Sequence, residues 1–233
     1  MFIVQGCVPE VKNDSTVEEK NMTSLEEQLF KAVEDRDNEN IQKWIQAGAH
    51  INAQDQSGRT AAMIATYNND LPSAKVLIKA GADVNIQDDM KNNPFLYAGA
   101  EGYLEILRLT IEAGADPTIT NRYGGTALIP ASEHGYVEVV QELLTQTSVN
   151  VDHVNQLGWT ALLEAIILND GNARQQETIQ LLIDHGADVN IPDRDGVSPL
   201  SHAKKKGFKE LKTYWYGLEP NRNDLGSIKK PKC

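Results

Sequence analysis

The sequence predicts an all-α solenoid of about six helix-turn-helix units with β-hairpin tips, and three observations support this fold class. A short signature recurs as GAHIN at 48–52, GADVN at 81–85, GADPT at 114–118 and GADVN at 186–190. Its glycines Gly48, Gly81 and Gly114 are 33 residues apart, a period typical of stacked helical repeats. A polar residue also precedes each apolar helical segment in the same phase, namely Thr60, Asn93, Thr126, Thr160 and Ser198.

Each unit is predicted to run as a hairpin tip, a short helix, a turn, a second helix and a glycine return. The recurring polar residues are good N-caps, because their side chains can accept a hydrogen bond from the free amides of the first helical turn. Pro94 and Pro199 follow their caps at the first helical position, where a missing amide costs little. The recurring glycines end the second helices, where a left-handed backbone is needed.

The repeat domain is expected to cover residues 24–217. Ser24 and Glu27 form a capping box that opens repeat 1. The later repeats are assigned to 55–87, 88–120, 121–154, 155–192 and 193–217. Residues 1–23 are expected to be a disordered segment, because residues 8–23 are polar and charged, and residues 218–233 are expected to be a flexible tail.

Three departures from the period predict local changes. Ser148 stands where the glycine return of repeat 4 should be. Pro130 occupies the fourth helical position of repeat 4, where a slight distortion is expected rather than a break. About five extra residues around 170–174 predict an outward loop between the two helices of repeat 5.

The segments after the tips resemble the T-P-L-H-x-A-A motif of the ankyrin repeat family. They read GRTAAMIAT (58–66), NNPFLYAGA (92–100), GGTALIPAS (124–132), GWTALLEAI (158–166) and GVSPLSHAK (196–204). The blocks PFLYAGA, NRYGGTALIPAS and VDHVNQLGWTALLEAI are similar to those of a group of bacterial ankyrin proteins. The resemblance covers about residues 24–217 and implies a helical stack that binds other proteins.

Composition narrows the classes of partner. The formal charge is −11, which argues against nucleic acid as the main ligand, because phosphate contacts need clustered basic residues. Residues 204–233 carry +6 and the rest −17. We therefore expect a basic protein partner for the acidic repeats, and we expect the chain to be a monomer. No apolar stretch reaches the roughly 18 residues that a transmembrane helix needs.

Partner-binding residues are expected on the hairpin tips and on the exposed ends of the first helices, because the remaining apolar positions are used in stacking. Met90, Tyr123 and Trp159 are apolar residues on adjacent tips, and an exposed aromatic residue beside an arginine is typical of an interface hot spot. The predicted site consists of Arg59, Tyr67, Met90, Arg122, Tyr123, Glu133, His134 and Trp159.

No catalytic residues, cofactor or metal are predicted. The sequence has no glycine-rich phosphate loop, no nucleophile elbow and no cluster of histidine, cysteine and aspartate at ligand spacing. The chain is therefore expected to be a non-enzymatic protein-binding module that uses its concave face. Two alternatives stay open: an inhibitor or protective, immunity-like partner of a toxin or stress enzyme, and an enzyme with an unrecognised site near the repeat 5 insertion.

The two cysteines, Cys7 and Cys233, lie at opposite ends of the chain, so no disulfide framework is expected. The segment MFIVQGC resembles the end of a bacterial lipoprotein signal, although it is short and lacks a basic start. If Met1 is not the natural start, Cys7 is expected to carry lipid and to tether an extracytoplasmic protein to a membrane. Otherwise Cys7 is an ordinary thiol and the protein is expected in the cytoplasm.

Overall fold

The structure is a computed structural model that describes residues 24–208. Within this range the chain forms eleven α-helices, which pair into five complete units followed by the first helix of a sixth. They are α1 (Ser24–Glu34), α2 (Asn38–Gln46), α3 (Ala61–Tyr67), α4 (Leu71–Lys79), α5 (Pro94–Glu101), α6 (Leu104–Glu112), α7 (Leu128–Glu133), α8 (Val137–Gln146), α9 (Ala161–Ile167), α10 (Ala173–Asp184) and α11 (Pro199–Lys206). The predicted all-α solenoid is confirmed.

The helices form two layers. The first helices of the units, α1, α3, α5, α7, α9 and α11, pack side by side in sequence order, and the second helices from α2 to α10 do the same. The apolar side chains between the layers form one continuous cluster that extends from Leu29 to Ala203. Each unit thus buries its apolar face against its neighbours, as a repeat that cannot form a core alone must do.

Four of the five predicted N-caps are confirmed. The side chains of Thr60, Asn93, Thr160 and Ser198 each accept a hydrogen bond from the backbone amide three residues later. The donor–acceptor distances lie between 2.8 and 3.3 Å. These bonds satisfy amides that would otherwise have no partner at the start of each first helix.

Thr126 does not cap its helix, and Pro130 explains why. In repeats 2, 3 and 5 the amide four residues after the cap donates to the carbonyl of the cap residue, but Pro130 has no amide hydrogen. The amide of Ile129 donates to the carbonyl of Thr126 instead, at 3.2 Å. The hydroxyl of Thr126 is then buried without a hydrogen-bond partner. Helix α7 persists in a shortened form, so the predicted distortion is confirmed and the predicted cap is wrong.

The glycine returns behave as predicted. Gly48, Gly81, Gly114 and Gly186 have φ angles of 96°, 95°, 85° and 91°, a region that residues with a Cβ rarely enter. Ser148 has no positive φ. In its place the Thr147 hydroxyl donates to the Leu143 carbonyl at 2.6 Å and accepts from the Val149 amide at 3.2 Å. A side-chain turn therefore replaces the glycine turn in repeat 4.

The insertion in repeat 5 is an exposed segment that is fixed at Asn169 and Gly171. Helix α10 already begins at Ala173, with Asn172 as its N-cap. The Asn169 side chain donates to the carbonyl of Glu133 at 2.7 Å. On the other side, a Cβ added to Gly171 would lie 2.3 Å from the ring of Phe208. The predicted loop is thus confirmed for residues 170–172, where Asp170 and Asn172 are exposed, and wrong for Ala173 and Arg174, which form the start of α10.

The hairpin tips are tight turns stacked on each other. In the second repeat the amide of Asp55 donates to the carbonyl of Arg59 at 2.9 Å, which closes the turn. Backbone bonds also join neighbouring tips, such as Asp89 to Ser57 at 3.1 Å and Gln156 to Tyr123 at 2.9 Å. No strand is assigned between residues 24 and 208, so the tips keep the hairpin direction without forming regular β-structure.

Candidate protein-binding groove

One aspartate or asparagine fixes the shape of every tip, and the sequence analysis missed this role. The Oδ1 atom of Asp55 accepts the amides of Ser57 at 2.9 Å and Arg59 at 2.8 Å. The same pair of bonds, to the second and fourth residues onward, recurs at Asp88, Asn121, Asn155 and Asp193. Side chains of this type often hydrogen-bond their own backbone two residues on. Each of these residues lies five positions before the predicted N-cap residue of its repeat, and this constant spacing could have identified them from the sequence.

In the last two tips, the second polar atom of this side chain, Nδ2 of Asn155 or Oδ2 of Asp193, bonds the residue at the fourth position of the following first helix. In repeat 6 the Asp193 carboxylate lies 2.6 Å from Nε2 of His202. The pKa of Asp193 is lowered, first by the amide of Val197 and then by His202. In repeat 5 the partners exchange chemical roles, because Asn155 donates from Nδ2 to Oε1 of Glu164 at 2.8 Å.

Glu164 is therefore a carboxyl group inside the helical stack. The residue is only 5% exposed. Burial raises the pKa of Glu164 to about 7, with a further contribution from the negative charge of Glu133, while the bond from Asn155 opposes the shift. Among the described residues only Asn155 bonds this carboxyl group, and it uses Oε1.

Glu164 lines a groove of about 500 Å³ that crosses repeats 3 to 5 on the side of the first helices and tips. Tyr123, Leu157, Trp159, Leu168 and Glu133 line the same groove. Tyr123, Leu157 and Leu168 are exposed by 53%, 52% and 48%. Large apolar side chains are seldom gathered on the surface of a monomer unless a partner covers them.

A second apolar cluster continues this surface towards repeat 3. Arg122 lies with its guanidinium carbon 4.8 Å from the ring centroid of Tyr123. Its Nη1 is also 3.7 Å from the sulfur of Met90. Arg122 thus links the exposed side chains of two adjacent tips. Met90, Arg122, Tyr123 and the groove residues together form what we call the tip surface.

Of the residues predicted to bind a partner, the structure brings Tyr123, Glu133 and Trp159 into the groove, with Met90 and Arg122 beside them. His134 follows Glu133 at the end of α7, where its ring is exposed and lies 5.3 Å from that of Tyr136. The groove itself adds Leu157, Glu164 and Leu168 to the predicted set.

Arg59 and Tyr67 lie on repeat 2, outside this groove. Arg59 forms an ion pair with Asp55 at 2.6 Å. The Tyr67 hydroxyl donates to the Asp88 carboxylate and accepts from Nδ2 of Asn92 at 3.0 Å. Burial and the bond to Asp88 raise the pKa of Tyr67 to about 12. Both side chains therefore bond other residues of the fold, and these contacts could not be predicted without the three-dimensional arrangement of the tips.

Some predicted features lie outside the described residues, among them Cys7, the segment 1–23, the end of repeat 6 and the tail 218–233. Between residues 24 and 208, no three histidine, cysteine, aspartate or glutamate side chains come together as a metal site. In the same range no helix is long and apolar enough to cross a membrane.

The family profile for ankyrin repeats (3 copies) matches residues 29–121, 95–193 and 131–224. These matches overlap and cover most of the chain. The chain belongs to the ankyrin repeat family. This confirms the resemblance carried by the segments after each tip, and it agrees with the stacked helical pairs and the glycine returns.

Solved ankyrin structures are similar over nearly their whole length. An ankyrin repeat domain from Acinetobacter baumannii AYE is 49% identical, with a TM-score of 0.79, and covers 81% of this chain and 96% of its own. The ankyrin repeat protein EF0377 is 37% identical, with a TM-score of 0.78, and covers 84% of this chain and 98% of its own.

A curated relative matches over a shorter stretch. The putative ankyrin repeat protein YahD of Escherichia coli (strain K12) is 50% identical over 72 residues, which are 31% of this chain. The match spans 36% of that relative, about a third of its length. Ankyrin repeats are generally protein-interaction modules, and the extended concave surface of a solenoid is what they use for binding.

Proposed function

We propose that this ankyrin repeat protein binds a protein partner along the tip surface of repeats 3 to 5, without catalysing a reaction. The observation that carries the proposal is the gathering of exposed apolar side chains, Tyr123, Leu157 and Leu168, around one groove. Tyr123 and Leu157 come from two tips, and Leu168 is the C-cap of α9. These side chains are not part of the core between the repeats, so their apolar surface is exposed to water, and a bound partner would bury it.

The chemistry of the tip surface resembles that of known interfaces. Aromatic residues and arginine dominate binding energy when they surround a pocket that excludes water. Tyr123, Trp159 and Arg122 provide these side chains here. Glu133 and Glu164 add negative charge to the groove, and a basic partner would be steered towards a chain whose formal charge is −11. A role as an inhibitor or protective partner is a narrower form of the same proposal.

Site-specific photo-crosslinking in the native cell tests this proposal. A photo-reactive phenylalanine is placed at position 123 or 157, and at the exposed Gln146 on α8 as the matched control. We expect the same protein to be cross-linked from positions 123 and 157 and not from 146. Cross-linking from position 146 alone would contradict binding at the tip surface and would place the partner on the second helices.

Truncation of the aromatic side chains gives a second prediction. We expect Tyr123→Ala together with Leu157→Ala to weaken partner capture by at least about tenfold, because hot-spot truncations typically cost more than 1 kcal/mol each. The matched control is Val154→Ala, which removes an exposed apolar side chain outside the groove. Thermal melting of each variant is measured alongside, and equal loss of capture in the control would contradict the proposal.

A further inference from the structure

The fold needs a hydrogen-bond acceptor at position 164 but does not need a negative charge there. Its position in the first helix corresponds to His202 in repeat 6, and both residues bond the tip residue nine positions earlier. Since Oδ1 of Asn155 already accepts two amides, only its Nδ2 is available, and it needs an acceptor. A glutamine oxygen would accept that bond equally well and would avoid the cost of burying a carboxyl group.

The other carboxyl oxygen has no such structural use. Between residues 24 and 208 no hydrogen bond involves Oε2 of Glu164, although the residue is 95% buried and lines the groove. A second carboxylate, Glu133, lines the same groove from α7. Two acidic groups that share a groove repel each other, and a bound cation would relieve that repulsion.

We propose that Glu164 and Glu133 form a socket for the guanidinium group of an arginine on the protein partner. The inference rests on the proposed function, because the arginine belongs to the protein that covers the tip surface. The chemistry favours arginine over lysine, since a guanidinium group pairs with carboxylates through several donors and also stacks on aromatic rings. Trp159 provides the aromatic wall and Leu157 an apolar one for the methylene stem.

The other charged groups near α9 already have partners or are exposed. On α11, Lys206 donates to the carbonyls of Ile167 and Asn169, and His202 is paired with Asp193. On α10, Arg174 and Glu177 are exposed. On the tips, Arg122 lies over the ring of Tyr123. Within residues 24–208, therefore, no lysine, arginine or histidine side chain is bonded to either glutamate and would compete with the guanidinium group of the partner.

Binding of a cation in this socket is coupled to a proton. With a pKa of about 7, the Glu164 carboxyl is protonated in roughly half of the free molecules at neutral pH. A guanidinium group favours the charged carboxylate, so binding releases that proton. Affinity should accordingly fall about tenfold between pH 8 and pH 6, as the protonated fraction rises.

The test uses the full chain and N-acetyl-arginine methylamide as the probe. Its citrulline counterpart, which has the same shape without the charge, is the matched control ligand. Binding is followed by the NMR signal of the Trp159 indole, with Trp44 of α2 as a reference remote from the groove. We expect a saturable shift of Trp159 with the arginine probe at pH 8, at least tenfold weaker binding of the citrulline probe, and about tenfold weaker arginine binding at pH 6.

Glu164→Gln is the decisive variant, because it keeps the acceptor for Asn155 and removes the charge. We expect it to abolish both the preference for arginine over citrulline and the dependence on pH. Glu138→Gln, at an exposed site on α8 outside the groove, should change neither. If Glu164→Gln lowers the melting temperature, Glu133→Gln serves instead, and should weaken arginine binding and move the pH midpoint downward.

Equal binding of the arginine and citrulline probes, or an unchanged preference in Glu164→Gln, would overturn the socket. The two proposals can fail separately. Cross-linking from positions 123 and 157 without arginine binding would leave the protein-binding surface standing and remove only the socket. Arginine binding without those cross-links would retain a cation site while contradicting the proposed function.

Discussion

At the residue scale, the buried carboxyl of Glu164 should make the stability of the chain depend on pH. Its pKa is raised from 4.5 to about 7 by folding. Between these two values the folded chain holds a proton that the unfolded chain has released. The contribution of Glu164 to stability therefore decreases as the pH rises from about 4.5 to 7 and is constant above that. Its total loss is on the order of 3 kcal/mol, because one pKa unit corresponds to about 1.4 kcal/mol.

Glu164→Gln should remove this dependence. Urea unfolding at pH 5 and pH 8 is expected to show that the variant gains stability over the natural chain at pH 8 and not at pH 5. The control is Glu138→Gln, whose effect should be small and similar at both values because Glu138 is exposed. A variant that is less stable than the natural chain at pH 8 would mean that the carboxylate is paired in the free protein.

Glu164 also shows where inference from the sequence stopped. The tip residues Tyr123 and Trp159 could be identified, because the period aligns the tips and water-facing aromatic residues stand out. Glu164 lies within the segment GWTALLEAI, where most positions belong to the core. Its role depends on Nδ2 of Asn155, which is left to bond Glu164 because Oδ1 already accepts two tip amides. That arrangement exists only in the folded tip and cannot be inferred from the sequence spacing.

At the scale of single helices, the N-caps provide a matched pair of substitutions. Thr160→Val removes the oxygen that accepts the Leu163 amide and should cost about 1 kcal/mol. Thr126→Val removes a hydroxyl that is buried without a partner, so it should be neutral or slightly stabilising. Urea unfolding of both variants checks the difference. Equal losses would show that the Thr126 hydroxyl has a role in the cap that Pro130 did not remove.

The same helix shows which parts of an element can be predicted. The start of α7 could be placed within two residues from the phase of Thr126, and the effect of Pro130 could be expected from its missing amide. The rearranged bond from Ile129 to the Thr126 carbonyl could not, because it depends on which of two acceptors the amide reaches. The contacts at the insertion were harder still, since Asn169 just before it bonds Glu133 and Gly171 within it lies against Phe208, both far away in sequence.

At the scale of the whole molecule, the continuous core should couple distant repeats during unfolding. The apolar cluster runs without a break from Leu29 in α1 to Ala203 in α11. In a solenoid each unit contacts only its neighbours, so cooperativity depends on those interfaces. Since α7 contacts both α5 and α9, and α8 contacts both α6 and α10, no unit in the described range is isolated from the next.

Two tryptophans make this coupling measurable, because Trp44 lies in repeat 1 and Trp159 in repeat 5. One variant keeps only Trp44 and another only Trp159, with the other tryptophans changed to phenylalanine. Adding Thr160→Val to each should lower the urea midpoint by the same amount at both reporters, because the loss of one cap destabilises a unit that unfolds with the whole stack. Thr126→Val is the control and should move neither midpoint downward. If the midpoint at Trp159 fell while that at Trp44 stayed constant, repeats 1 and 5 would belong to separately unfolding units, and the continuous core would not make the stack cooperative.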